Sequence, residues 1–230
     1  MRTPVVDYRE FRLCRVTEPR FRHLLYLLGW AGYFLLYLLT ENLIPLENCY
    51  VVHSRLDDLI PFCEAFVIPY VGWYFLIIWT LLYFALYNIQ GFKQVQTYII
   101  ITQVIAMAIY IAFPNRQDLR PAEFPRDNLL TDLVGVLYRF DTNSNVCPSL
   151  HVGYSLGIAS VWLKEKQASP WTKTFVVIFV ILVCLSVAFV KQHSVVDIYA
   201  AIPMCLLAEA LVFGKSWWLP RLRRQKTKSE

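Results

Sequence analysis

A chain of 230 residues that is 57% hydrophobic, 16% aromatic and only 17% charged is too apolar for a water-soluble domain, in which about one residue in four is charged. Its mean hydropathy of +0.44 and net charge of +5 exclude a small secreted scaffold, a disordered tail and a nucleic-acid-binding module. They predict an all-α, polytopic integral membrane protein.

A basic segment, residues 1–22, precedes the first apolar stretch, Leu24–Thr40. No small-residue cleavage site follows that stretch, so it reads as a retained helix and not as a signal peptide. The next segment, Glu41–Glu64, is acidic, and its stretch Leu56–Phe66 mixes apolar and acidic residues in a way that suits lying flat on a membrane. Ala65–Tyr87 and Val95–Phe113 are the second and third predicted spans, followed by a long loop over 114–151. Val152–Leu163, Thr174–Val190 and Val195–Phe213 complete a predicted bundle of six transmembrane helices in a single membrane domain. The fourth is short and rich in small residues, which suits an interior helix whose polar start belongs to a site. A second basic segment, 214–230, closes the chain.

Of the 22 lysines and arginines, sixteen fall in the two tails and in the loops after the second and fourth spans. The bias predicts that both termini face the cytoplasm, with the 114–151 loop outside. The compact chain suits a bacterial cytoplasmic membrane. Only Cys49, Cys63 and Cys147 fall on the outer side, which leaves room for one disulfide without choosing it.

The outer loops carry the chemistry. Arg116 and Arg120 stand against the charge bias and point to anion binding, whereas Arg126 and Arg139 read as partners of nearby acidic residues. The loop ends in Cys147-Pro148-Ser149-Leu150-His151, where Ser149 suits a helix N-cap and the free amides that follow favour an anion. The sixth span opens Lys191-Gln192-His193-Ser194-Val195-Val196-Asp197. His193 and Asp197, four residues apart, would share one helix face, with the carboxylate fixing the imidazole tautomer and freeing its other nitrogen to attack. The fourth and sixth spans run in the same direction, so His151 and His193 start their helices at the same depth. Two histidines, a carboxylate and the cations Arg116, Arg120 and Lys191 make a phosphoryl-transfer constellation.

Pro148-Ser149-Leu150-His151 followed by His193-Ser-Val-Val-Asp197 resembles the second and third signatures of the type-2 phosphatidic acid phosphatase superfamily, Pro-Ser-Gly-His and Ser-Arg-x5-His-x3-Asp. Arg120-Pro121 matches the end of its first signature, Lys-x6-Arg-Pro. The first-signature Lys falls at Phe113, the third-signature Arg at Val187, and Leu150 replaces Gly; a His-x3-Asp without the Arg looks more like the sphingomyelin-synthase branch. The resemblance implies a lipid phosphatase in which His193 forms a phosphohistidine, Asp197 orients it, and His151 protonates the leaving group and then activates water. Arg116, Arg120, Lys191, Ser149 and Leu150 would hold the phosphate of a lipid phosphate or diphosphate, with no metal and no cofactor. Transfer of the headgroup to a second lipid alcohol is the alternative outcome. The expected partners are the lipid substrate and membrane lipids, with no nucleic acid and no assigned oligomeric state.

Four other readings compete. Gly153-Tyr154-Ser155-Leu156-Gly157 fits the G-x-S-x-G pattern but sits inside a predicted helix with no strand before it. A Cys147 phosphatase lacks the downstream Arg, since position 153 is Gly. Two histidines and a carboxylate match a metal site, which sensitivity to a chelator would reveal. A small transporter is the reading of another class; against it, the polar residues gather at one face and not at the midplane, apart from Glu209, read as lying beside Lys215.

Overall fold

The computed structural model describes residues 3–229, with side chains through 225. A 3-10 stretch, Arg22–Leu27, leads into α1 (Leu28–Leu43); after a short α2 (Arg55–Leu59), the turn Glu64–Phe66 opens α3 (Val67–Tyr87). Asn88 separates α3 from α4 (Ile89–Ala112) and caps the latter by accepting from the Gly91 amide at 2.9 Å. That cap, which satisfies an otherwise orphaned amide, starts α4 six residues before the predicted Val95 despite the glutamines of its first turns. After α5 (Leu129–Phe140) come α6 (Leu150–Lys164), α7 (Pro170–Phe189) and α8 (Val195–Phe213), which continues through a π turn at Gly214–Trp218 into α9 (Leu219–Ser229).

Five stretches among the described residues are long and apolar enough to cross a membrane: Arg22–Leu43, Glu64–Tyr87, Ile89–Ala112, Pro170–Phe189 and Val195–Gln225. Five of the six predicted spans thus form helices of that length. The exception is α6, whose 15 residues reach about 22 Å at 1.5 Å per residue, against a hydrocarbon core of about 30 Å. It packs against α3, α4, α7 and α8, and most of its residues are buried. Small residues make this possible: a Cβ at Gly157 would lie 2.5 Å from the Tyr98 ring of α4.

Hydrogen bonds cross the bundle where polar groups are buried. Trp30 donates to Gln96 at 3.0 Å, Gln103 to the Tyr154 hydroxyl at 2.8 Å, and Trp162 to Thr80 at 3.0 Å. Glu209 is held by Lys164 at 2.6 Å and by Ser160 and Trp218, so its partner is not the Lys215 expected from sequence. The side chains of α6 and α8 pair there because the two helices pack together.

At the opposite end, the two long loops meet in a parallel pair of two-residue strands, β1 (Tyr50–Val51) with β2 (Asn115–Arg116). Leu56–Phe66 forms no continuous helix: α2 spans only five residues, and its Asp57 is buried. The amphipathic element at this end is α5, in the segment read as a loop. Asn128 caps it through the Leu130 and Thr131 amides, and Glu64 clasps its approach through Arg126 (2.6 Å) and Asn128 (3.1 Å). Arg126 thus pairs as expected for a structural arginine, but across to the start of α3. The six cysteines are free.

Candidate active site

The starts of α6 and α8 lie side by side. Ser149, the N-cap of α6, accepts from the Val152 amide at 3.4 Å, and its own amide donates to the Asp197 carbonyl at 3.1 Å. Asn115 shapes the approach by accepting from the Val146 and Cys147 amides at 2.9 and 2.7 Å and donating to the Cys147 carbonyl at 3.0 Å. Tyr110 adds a hydrogen bond to the Pro148 carbonyl at 2.7 Å. These contacts fix the backbone that presents Leu150 and His151.

His193 is not on a helix. Ser194 is the N-cap of α8, so the imidazole stands one residue outside it and Asp197 is the third helical residue. The pairing expected of them still forms, with His193 Nδ1 3.1 Å from Asp197 Oδ2. The same oxygen accepts from the Ser194 amide at 2.9 Å, so one carboxylate caps the helix and orients the ring. With Nδ1 donating to the carboxylate, Nε2 keeps its lone pair. It faces His151 Nδ1 at 3.4 Å.

The His151 ring lies between two aromatics of α3, with ring centroids 4.5 Å from Tyr70 and 4.2 Å from Trp73. Tyr70 donates in turn to Asp141. Both imidazoles are nearly buried at 8% and 7% exposure, and among the described residues His151 Nε2, Trp73 Nε1 and Asp197 Oδ1 have no hydrogen-bond partner. The two rings line one end of a cavity of about 550 Å³. Aromatic and aliphatic residues from Leu27 to Tyr37 and, on α3, from Trp73 to Leu81 form much of its wall. Thr142, Ser144, Asn145 and Gln192 gather beside the imidazoles.

The predicted cations divide. Arg120, its charge disfavoured by burial, donates to Gln192 Oε1 at 2.9 Å and to the Tyr138 carbonyl at 3.0 Å, and lies over the Tyr138 ring. It therefore reaches the cavity through Gln192. Arg116 binds the Leu46 carbonyl at 2.8 Å and Asp118 at 3.2 Å, away from the cavity lining. Lys191, with a left-handed backbone (φ 54) and its ammonium form also disfavoured by burial, donates to the Asp57 and Ile60 carbonyls at 2.7 and 2.5 Å. Among the described residues, no Lys or Arg lines the cavity. Charge counting along the sequence misses this, because buried loop carbonyls compete for the same donors.

Asp57 is the residue that sequence reasoning passed over. It is 2% exposed and accepts from Ser194 Oγ at 2.6 Å and from the Val195 amide at 2.8 Å, so a residue of the first loop caps the helix that carries Asp197. Its only sequence signal was the Ser54–Asp57 capping box, which explains α2 and nothing beyond it. Cys147 is no nucleophile here: burial, with the Asp197 carboxylate nearby, pushes its thiol up to about 12. Ser155 is buried within α6, 0% exposed, which leaves the nucleophile-elbow reading without a turn. Among the described residues, no group of three or more His, Cys, Asp and Glu side chains converges as a metal site would. A comparison with known proteins finds no matching family model, no matching curated sequence and no matching solved structure.

Proposed function

We propose that this protein is a membrane enzyme that hydrolyses a lipid phosphate or diphosphate through a phosphohistidine on His193. The observation that carries the reading is the pair of facing imidazoles, one oriented by a buried carboxylate, at one end of a largely apolar cavity. In this mechanism the phosphoryl group parts the two rings and His193 Nε2 forms the N–P bond. The P–O bond to the lipid breaks, and His151 gives its proton to the leaving oxygen. The same imidazole then takes a proton from water as the N–P bond breaks and inorganic phosphate leaves. Transition-state charge falls to the first amides of α6 and to the Asn145 and Gln192 amides, with Arg120 polarising Gln192 from behind. Arg116 and Lys191 hold the surrounding loops. In the same reading α6 is the sixth crossing, completed by the loop residues above it, and the site faces away from the cytoplasm of a bacterial cell.

The apolar cavity supports a lipid substrate. From Leu27 to Tyr37, α1 covers about 15 Å of its wall, enough to take a stretch of hydrocarbon chain with the headgroup at the imidazoles. Leu81→Trp, which fills the end remote from the histidines, is expected to raise KM roughly tenfold for a long-chain lipid phosphate and to spare a short-chain one. The decisive experiment is a panel of lipid phosphates and diphosphates in which released phosphate and lipid product are both measured. Phosphate release that is unchanged in His193→Ala protein would overturn the reading. The near-complete burial of the imidazoles favours one second reading, headgroup transfer to a lipid alcohol, which the same assay detects when ceramide or diacylglycerol is added.

Asp57 acts on this chemistry as a positioning residue. Asp57→Asn is expected to lower kcat on the order of 100-fold with little change in KM, because the Ser194 and Val195 donors lose their carboxylate and the segment that carries His193 shifts. Its neighbour Asp58 pairs with the exposed His53 at 2.8 Å, and Asp58→Asn serves as the control with unchanged kcat. Equal kcat in both variants would remove the positioning role.

A further inference from the structure

On α5 the residues Leu129, Leu133, Val136 and Phe140 follow one another at spacings of four, three and four, which puts them on one helix face. All four are exposed, at 81%, 38%, 46% and 84%. The opposite face, through Thr131, Val134 and Leu137, is buried against the protein. The row that faces away from the protein is thus apolar, flanked on one side by the exposed Asp132 and Arg139, and four large apolar side chains in water are unfavourable in proportion to their area.

We propose that this row of α5 is immersed in the lipid leaflet at the histidine end, so that α5 is an interfacial helix bordering the cavity mouth. Three features select lipid as the occupant. The segment leading into α5 is tied to Glu64, the first residue of the stretch that enters the membrane as α3, and α5 packs on Glu64–Phe66 and on α3. That places α5 at the level where α3 meets the bilayer boundary. The exposed row is also continuous in character with the start of α3, where Ile68 is 60% exposed. Finally, Phe140 lines the cavity as well as ending the row, so the leaflet and the cavity mouth share a side chain. Seating α5 about 5–10 Å into the headgroup and acyl boundary would let a lipid slide along the leaflet to the imidazoles with its chain never crossing water.

The test uses full-length protein in phosphatidylcholine–phosphatidylglycerol vesicles, with single substitutions Leu133→Cys, Val136→Cys and Asp132→Cys. Each is treated with a membrane-impermeant maleimide, and the modified position is identified by mass spectrometry, so the native cysteines do not interfere. Positions 133 and 136 are expected to react about tenfold more slowly than position 132, and the ratio is expected to stay constant as protein is diluted in lipid. Equal rates at the three positions would overturn the proposal by placing the row in water. Protection that disappears on dilution would also overturn it, by identifying the occupant as a second copy of the chain. Since the readout involves no turnover, the outcome is independent of whether the phosphoryl-transfer reading holds.

Discussion

His193→Ala protein is expected to release no phosphate above background and to form no covalent phosphoenzyme. The ring it removes is the one whose Nδ1 is held 3.1 Å from Asp197 and whose Nε2 points at His151. His151→Ala separates the roles. Loss of a general acid and base costs about 10²- to 10⁴-fold, yet His193 keeps its carboxylate and its lone pair. This variant is therefore expected to turn over slowly while still capturing phosphate from a substrate with a good leaving group, such as an aryl phosphate. Asp197→Ala acts through His193, so combining it with His193→Ala is expected to add little to the single loss. Acid-labile, base-stable phosphate on the wild-type protein, absent from His193→Ala, checks the covalent step. Wild-type turnover in both histidine variants would end the assignment of this pair.

Gly157→Leu is expected to have the largest effect on the fold. A Cβ there would meet Tyr98 Cδ1 at 2.5 Å and Cε1 at 2.8 Å. Tyr98 has little freedom to yield, being 2% exposed with its hydroxyl bonded to the Cys205 carbonyl of α8 at 3.1 Å. The longer side chain must therefore drive α6 away from α4, carrying His151 with it. Overpacking of a close contact costs roughly 1–3 kcal/mol, which already applies to Gly157→Ala; the leucine variant is expected to fail to yield folded protein in detergent. Gly32 on α1 is the control, since a Cβ there meets nothing within 4 Å, and Gly32→Ala is expected to melt at or above the wild-type temperature. Thermal unfolding followed by size-exclusion chromatography ranks the three. A Gly157→Leu protein as stable as wild type would mean that α6 and α4 are not held at this distance.

The sequence by itself determined the class of molecule, most helix positions and the identity of the imidazole pair. Apolar run length is local information: α8 occupies Val195–Phe213, the stretch read from hydropathy, and Ser149 caps α6 as its position after Pro148 suggested. The four-residue spacing of His193 and Asp197 also gave the right pairing, although for an incomplete reason, since the bond runs from a residue outside the helix to one inside it.

Tertiary structure alone decided where the predicted cations bind and how the short α6 is accommodated. Arg116 and Lys191 satisfy carbonyls from residues 46, 57 and 60, more than 65 positions away in the chain, and no local pattern encodes such a demand for donors. Asp57 became part of the site for the same reason: burial makes an unpaired helix start costly, and the carboxylate that meets the Val195 amide comes from a distant part of the chain. The short α6 can sit inside the bundle because Gly157 admits the Tyr98 ring, a fit between two helices that composition does not specify. In α5, tertiary packing covers one apolar face and leaves the other exposed, and the sequence shows only that both are apolar.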